Sequence, residues 1–280
     1  FIDEVTDGLA DAPAYFPMNV AMNKKTILGA EEVLALASKA FDSIAFKAMV
    51  GEMGALVLDT RSPDAFAANH IPGSINIGID GQFAPWVGSL IPTDQTLMLV
   101  CENGREDEVI TRLSRVGYDR VLGYLEGGID AWMANSLETD QVLRITAAEL
   151  AKRLADNPDL SIVDARKEGE WTAQNLPQAK NIALDDLNAK FSELPLGQTM
   201  HIHCAGGYRS MIYASVLKSR CIHDLVDVVG GFAAIKDTPG LETGAFVCPS
   251  TLKTQGSKEL AHAEPNAGQG IIAWFKNLIG

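Results

Sequence analysis

His203-Cys204-Ala205-Gly206-Gly207-Tyr208-Arg209-Ser210 is the stretch on which the fold turns. The residues just before it, Thr199-Met200-His201-Ile202, read as the end of a strand. Those from Ser210 to Ser219 (SMIYASVLKS) read as a helix with Ser210 as its cap. A cysteine therefore sits where a strand gives way to a loop that opens a helix. Two glycines let that loop curl so that its amide N–H groups point inward. The helix N-terminus adds a partial positive charge, and Arg209 adds a full one. Each feature favours a thiolate over a thiol, and the same cradle suits an anion above the sulfur. A cysteine after an apolar strand, taken alone, would read as a small buried hydrophobe. Strand, Cys, Gly-Gly, Arg and helix in this order point instead to a nucleophilic cysteine in an anion-binding loop.

Working outward, the chain repeats itself. Val57-Leu58-Asp59-Thr60-Arg61 returns as Ile162-Val163-Asp164-Ala165-Arg166, and His70-Ile71-Pro72-Gly73-Ser74-Ile75-Asn76-Ile77 as Asn175-Leu176-Pro177-Gln178-Ala179-Lys180-Asn181-Ile182. Cys101 matches Cys204, and Leu125-Glu126-Gly127-Gly128-Ile129 matches Val228-Val229-Gly230-Gly231-Phe232. The offset is 105 at the first two blocks and 103 at the last two. Four blocks in one order at nearly one offset indicate a duplicated domain.

Each copy gives the same coarse pattern. An amphipathic helix comes first (44–53; 147–155), then a short apolar strand ending in Asp-x-Arg. A brief strand carries the Asn-Ile block, and the cysteine strand follows. A helix (107–116; 210–219), an apolar strand (120–124; 225–229) and a Gly-Gly that opens a last helix complete the copy. Apolar strands alternating with helices predict an α/β fold in which each copy is a parallel sheet with helices on both faces. Ligand sites in such sheets lie at the carboxyl ends of the strands, where both cysteines fall.

These blocks resemble the rhodanese (sulfurtransferase) family: Asp-x-Arg, the Pro-Gly-Ser-x-Asn-Ile block, Cys-x-x-Gly-x-Arg-Ser and the late Gly-Gly. The resemblance spans roughly residues 40–240 in two copies and implies two rhodanese-like domains. It implies that Cys204 takes a sulfane sulfur and becomes a persulfide. The amides of Ala205, Gly206, Gly207, Tyr208 and Arg209 would cradle that persulfide beside Ser210, with Arg209 as its charge partner. Asp164 and Arg166 would brace the loop or meet an anionic donor; a plain ion pair is the competing expectation.

The first copy departs from the pattern. Its loop reads Cys101-Glu102-Asn103-Gly104-Arg105-Glu106-Asp107-Glu108. Arginine comes one place early, and Glu106-Asp107 replaces Arg-Ser. Carboxylates oppose a thiolate and repel an anionic donor, so Cys101, Gly104 and Arg105 read as a degenerate site kept for packing or docking. One subgroup of the family carries Cys-x-x-Gly-Arg loops, which leaves activity open.

Residues 12–25 (APAYFPMNVAMNKK) carry a second resemblance, to the tail of the metallo-β-lactamase-fold domain of persulfide-dioxygenase-like proteins. That implies a missing upstream enzyme domain as a covalent partner and a chain that is a piece of a fusion. The expected division is 1–28 tail or linker, 29–140 first copy, 141–245 second copy and 246–280 extension. The extension holds a polar arm (250–269) and a short amphipathic segment (271–279). No His-x-His-x-Asp cluster is present, so no metal and no cofactor are expected. His201 and His203, two apart on a strand, read as buried or supporting histidines.

With 280 residues and 47% hydrophobic residues, the chain suits two domains. A formal charge of −13 argues against nucleic acid or an anionic membrane as partner, and no apolar run has spanning length. Four cysteines without disulfide or metal spacing suggest a reduced, cytoplasmic setting. Cys221 and Cys248 read as structural. The oligomeric state is not legible. The expected chemistry is sulfur transfer from thiosulfate or a small persulfide to a thiophilic acceptor. One rival is a docking module built from both copies. Another is a cysteine phosphatase, whose loop needs five residues between Cys and Arg where this one has four.

Overall fold

The computed structural model describes Leu34 and residues 37–247. The resemblance of residues 12–25, the arm and helix expected after 250, and Cys248 lie outside the described residues. The first copy runs β1 (Ala40–Phe41), α1 (Ser43–Met53), β2 (Leu56–Asp59), α2 (Pro63–Ala68), β3 (Ile75–Asn76), α3 (Phe83–Leu90), β4 (Leu97–Val100), α4 (Glu106–Arg115), β5 (Val121–Leu125) and α5 (Gly128–Ala134). The second runs β6 (Leu143–Ile145), α6 (Ala147–Asp156), β7 (Ile162–Asp164), α7 (Glu168–Ala173), β8 (Ala179–Asn181), β9 (Met200–His203), α8 (Tyr208–Ser219), β10 (Leu225–Val228) and α9 (Gly231–Ile235). Two single-turn 3₁₀ segments lie between β8 and β9.

Each copy forms one five-stranded sheet, in the orders β1-β5-β4-β2-β3 and β6-β10-β9-β7-β8. All pairings are parallel, so the expected fold class holds. Parallel sheets covered on both faces need apolar residues at every position rather than at alternate ones. Leu97-Met98-Leu99-Val100 of β4 satisfies this and is buried throughout. Helix boundaries follow local chemistry. Asp42 caps α1 by accepting from the Ile44 and Ala45 amides at 2.9 Å, and Thr146 with Glu149 forms a reciprocal capping box on α6.

The two copies share an interior. One buried apolar cluster includes Phe66 and Ile77 of the first copy and Met211 and Ile212 of the second. The helix between them is α8, in which every residue from Ser210 to Lys218 is buried. Two of its polar residues reach the first copy, while the buried Tyr213 hydroxyl has no hydrogen-bond partner among the described residues. Ser215 Oγ accepts from the Asn76 amide at 3.0 Å, and Lys218 pairs with Asp140 at 2.9 Å. The helix that opens from the second cysteine loop is thus packed against its own sheet on one side and the first copy on the other.

Candidate active site

The cysteine loop of the second copy starts at the end of β9 and closes on α8. The cap of α8 is Gly207, at φ 107°, and the helix begins at Tyr208. This corrects the expectation of Ser210 as cap. A left-handed residue is needed to turn the chain from strand into helix, and glycine adopts that conformation without penalty. Ser210 falls in the first turn. Its hydroxyl donates to Asp227 Oδ1 at 2.6 Å and lies 3.2 Å from the Gly207 carbonyl.

Cys204 is 1% exposed. Its Sγ accepts from the Gly207 N–H at 3.1 Å, so the sulfur faces an amide at the start of a twelve-residue helix. The back of the loop is held by the late Gly-Gly block. Phe232 N–H donates to the Cys204 carbonyl at 2.6 Å, and Ala233 N–H to that of Ala205 at 3.0 Å. The backbones come this close because residue 231 has no side chain: a Cβ there would sit 2.4 Å from the Cys204 carbonyl oxygen. In the first copy the matching Gly128 shares the left-handed φ but not this close approach.

Arg209 is turned to Glu170, to which it donates two hydrogen bonds, that to Oε1 at 2.8 Å. The hydrogen bond from Arg209 holds the Glu170 carboxyl below its usual range. The same hydrogen bonds raise the Arg209 guanidinium above its usual range. Asp164 and Arg166 are both buried. Arg166 donates to both carboxylate oxygens of Asp164, at 2.7–3.0 Å, and to the Gln174 carbonyl at 2.8 Å. Its guanidinium also stacks 3.8 Å over the Phe232 ring. This geometry is that of a buried ion pair that also ties β7 to the end of α7 and to α9. Asp59, Arg61 and the Asn69 carbonyl repeat it in the first copy.

His203 is fully buried at the end of β9, and burial keeps its pKa below the ordinary value. Its Nδ1 lies 3.8 Å from Asp164, and its Nε2 has no hydrogen-bond partner among the described residues. No set of three or more His, Cys, Asp or Glu arranged to hold a metal occurs among the described residues.

The first copy's loop differs electrically. Burial pushes the Cys101 thiol up to about 12; Glu106 and Asp59 reinforce that, while Thr60 and Arg105 oppose it. Arg105 donates to both oxygens of Asp80 at 2.8 Å and to Glu108 at 3.0 Å. The cation of that loop is spent on carboxylates. Gly104 keeps a left-handed φ of 85°, so the turn survives where the charge pattern does not. Cys221, read as structural, is exposed at φ 62° just beyond α8.

A cleft of about 400 Å³ lies between the copies. Pro63, Asp64 and Asp80 of the first copy and Arg144, Gly206 and Tyr208 of the second line it. Tyr208 reaches across and donates to the Gly78 carbonyl at 2.7 Å. Glu170, Arg144 and Asp227 escaped the sequence reading. Glu170 has no counterpart in the repeat, and Arg144 sits on a three-residue strand. Asp227 did carry a signal, a lone carboxylate inside the apolar run Leu225-Val226-Asp227-Val228.

The model of the rhodanese-like domain matches residues 44–135 and again 146–238, and the chain belongs to that family. It is 28% identical over 93 residues to a sulfurtransferase of Allochromatium vinosum, covering 33% of this chain and 87% of that protein. It is 30% identical over 82 residues to the thiosulfate sulfurtransferase GlpE of Pseudomonas syringae, covering 29% of this chain and 74% of that protein. A rhodanese-like domain protein from Staphylococcus aureus, of known structure, is 33% identical, covering 36% of this chain and 97% of its own, with a TM-score of 0.33.

Proposed function

We propose that this chain is a rhodanese-type sulfurtransferase that works through a Cys204 persulfide. The thiolate attacks the outer sulfur of thiosulfate, or of a small persulfide, and a new S–S bond forms. The donor's own S–S bond breaks, and sulfite or a thiolate leaves with the electron pair. A thiophilic acceptor then attacks the terminal sulfur, and Cys204 leaves as thiolate. The observation that carries the proposal is the Gly207 N–H at 3.1 Å from Cys204 Sγ, at the mouth of α8. It stabilises negative charge on the sulfur before and after loading. Arg209 is paired with Glu170, so the amide at the helix start carries the main part of this stabilisation. The chemistry needs a free thiol and no cofactor, which fits a reduced cytoplasmic setting, and its partners are small sulfur anions or persulfides.

In the same proposal Cys101 does not turn over: burial, with Glu106 and Asp59 beside it, holds its thiol protonated. The docking role thus belongs to the first copy only. The resemblance of residues 12–25 supports a metallo-β-lactamase-fold partner upstream, and a His-x-His-x-Asp cluster encoded before Phe1 is the observation that checks it.

Steady-state kinetics with thiosulfate and cyanide test the mechanism. Parallel lines in a double-reciprocal plot are expected for two half-reactions. Intersecting lines, or full activity in Cys204→Ser, would rule it out.

A further inference from the structure

Among the described residues, only the second copy carries a line of charged side chains behind its cysteine loop. Arg144 on β6 stands next to Asp227 on β10, in register. Its Nε donates to Asp227 Oδ2 at 3.0 Å, and its Nη1 donates to Asp64 of the first copy. Asp227 Oδ1 accepts from Ser210 Oγ at 2.6 Å. The Ser210 hydroxyl also lies 3.2 Å from the carbonyl of Gly207, whose N–H donates to Cys204 Sγ. Asp227 is 0% exposed, whereas the Asp64 side chain is 83% exposed. Hydrogen bonds therefore run from the surface of the first copy to Ser210, in the first turn of the helix whose Gly207 amide meets the sulfur.

The first copy serves as an internal control. Tyr124 stands beside Leu99 as Asp227 stands beside Ile202, so Tyr124 occupies the Asp227 position. Asp107 occupies the Ser210 position and accepts from Ser38 at 3.0 Å. The Ser–Asp–Arg set is missing from the first copy.

A buried carboxylate is costly unless charged or hydrogen-bonding partners surround it. Asp227 has two. With Arg144 donating to its other oxygen, Asp227 Oδ1 accepts the Ser210 proton at 2.6 Å. That fixes the Ser210 rotamer and with it the first turn of α8. We propose that Asp64, Arg144, Asp227 and Ser210 form a positioning relay through which the first copy fixes the start of α8, and hence the Gly207 amide at the Cys204 sulfur. The relay deepens the sulfurtransferase reading and rests on it for its purpose: a copy without turnover of its own becomes a working part of the other's site. Its members are positioning residues and touch no reacting atom.

The test uses the full chain with Cys221→Ser to remove the exposed thiol. Alkylation of Cys204 by iodoacetamide is followed by peptide mass, beside thermal melting and, separately, sulfur gain from thiosulfate. Ser210→Ala and Arg144→Gln should each slow alkylation about tenfold. The double variant should be no slower than the slower single one, because both break the same relay. Asp64→Asn, at an exposed position, should slow it roughly threefold with an unchanged melting temperature. Arg144→Lys should recover part of the loss. Multiplying effects in the double variant, a wild-type rate in Asp64→Asn, or rates that merely follow melting temperature would overturn the relay. A wild type that alkylates at Cys204 yet gains no sulfur from thiosulfate or a persulfide would refute the sulfurtransferase reading while leaving the relay to its alkylation data.

Discussion

Replacing Gly231 by alanine isolates the close approach behind the cysteine loop. The new Cβ would lie 2.4 Å from the Cys204 carbonyl oxygen, 2.9 Å from the Ala205 carbonyl carbon and 3.0 Å from its oxygen. An ordinary separation is about 3.5 Å, so loop and helix must part by about 1 Å. The φ of +57° adds roughly 1–2 kcal/mol for a residue with a side chain. The Phe232 N–H bond to the Cys204 carbonyl stretches or breaks at a cost of about 1 kcal/mol. The total of about 2–3 kcal/mol corresponds to a fall of roughly 4–12 °C in melting temperature. A 1 Å shift of the sulfur's cradle should slow sulfur loading by up to about 100-fold. Gly128, its counterpart in the first copy, has the same left-handed φ of +60°, but its Cβ would meet nothing nearer than Asn103 Oδ1 at 3.4 Å. Gly128→Ala should therefore cost only the conformational part and leave the loading rate unchanged. Calorimetry and stopped-flow loading on both variants decide the matter. Equal melting shifts, or a wild-type loading rate in Gly231→Ala, would refute the reasoning.

Three further outcomes are expected. Cys101 has a folded pKa of about 12 against an ordinary 9.0, so above pH 9 the unfolded chain releases a proton that the folded one keeps. Urea midpoints should fall between pH 9 and 12, less steeply in Cys101→Ala, and an identical slope in both would contradict the assignment. His70, stacked on Phe66 at 3.9 Å, is lowered to about 4 from 6.5 by burial. Between those pH values the unfolded state binds the extra proton, so stability should drop as pH falls from 6.5 toward 4; His70→Gln should flatten that drop, and an unchanged profile would count against it. Gly81→Ala would place a Cβ 2.2 Å from the Tyr208 ring, so it should lower the melting temperature and slow sulfur loading together, and a silent substitution would show that Tyr208 does not seat there.

The sheets were legible because each block of the repeat carries its own physical cause. Asp59-x-Arg61 and Asp164-x-Arg166 recur because a buried arginine needs the carboxylate two residues earlier. Gly128 and Gly231 recur because the last helix opens through a left-handed residue in each copy, at φ +60° and +57°. Buried strands such as Leu97–Val100 announce a two-sided parallel sheet. What was not legible depends on the meeting of the two copies. The run Ser210–Ser219 looked like an ordinary helix, and its burial on all sides follows from packing that no local pattern encodes. The helix start was misplaced because Gly207, not Ser210, makes the turn. Ser210 is recruited instead by Asp227, seventeen residues away. Glu170 was invisible for a related reason: only the fold brings α7 to the side chain of Arg209.

The most direct measurement is intact mass after incubation with thiosulfate, on wild type, Cys204→Ser and Cys101→Ser. A gain of about one sulfur atom (~32 Da) is expected in wild type and Cys101→Ser, lost on adding cyanide and absent from Cys204→Ser. A gain that persists in Cys204→Ser, or that disappears in Cys101→Ser, would contradict the assignment of the second copy as the site of sulfur transfer.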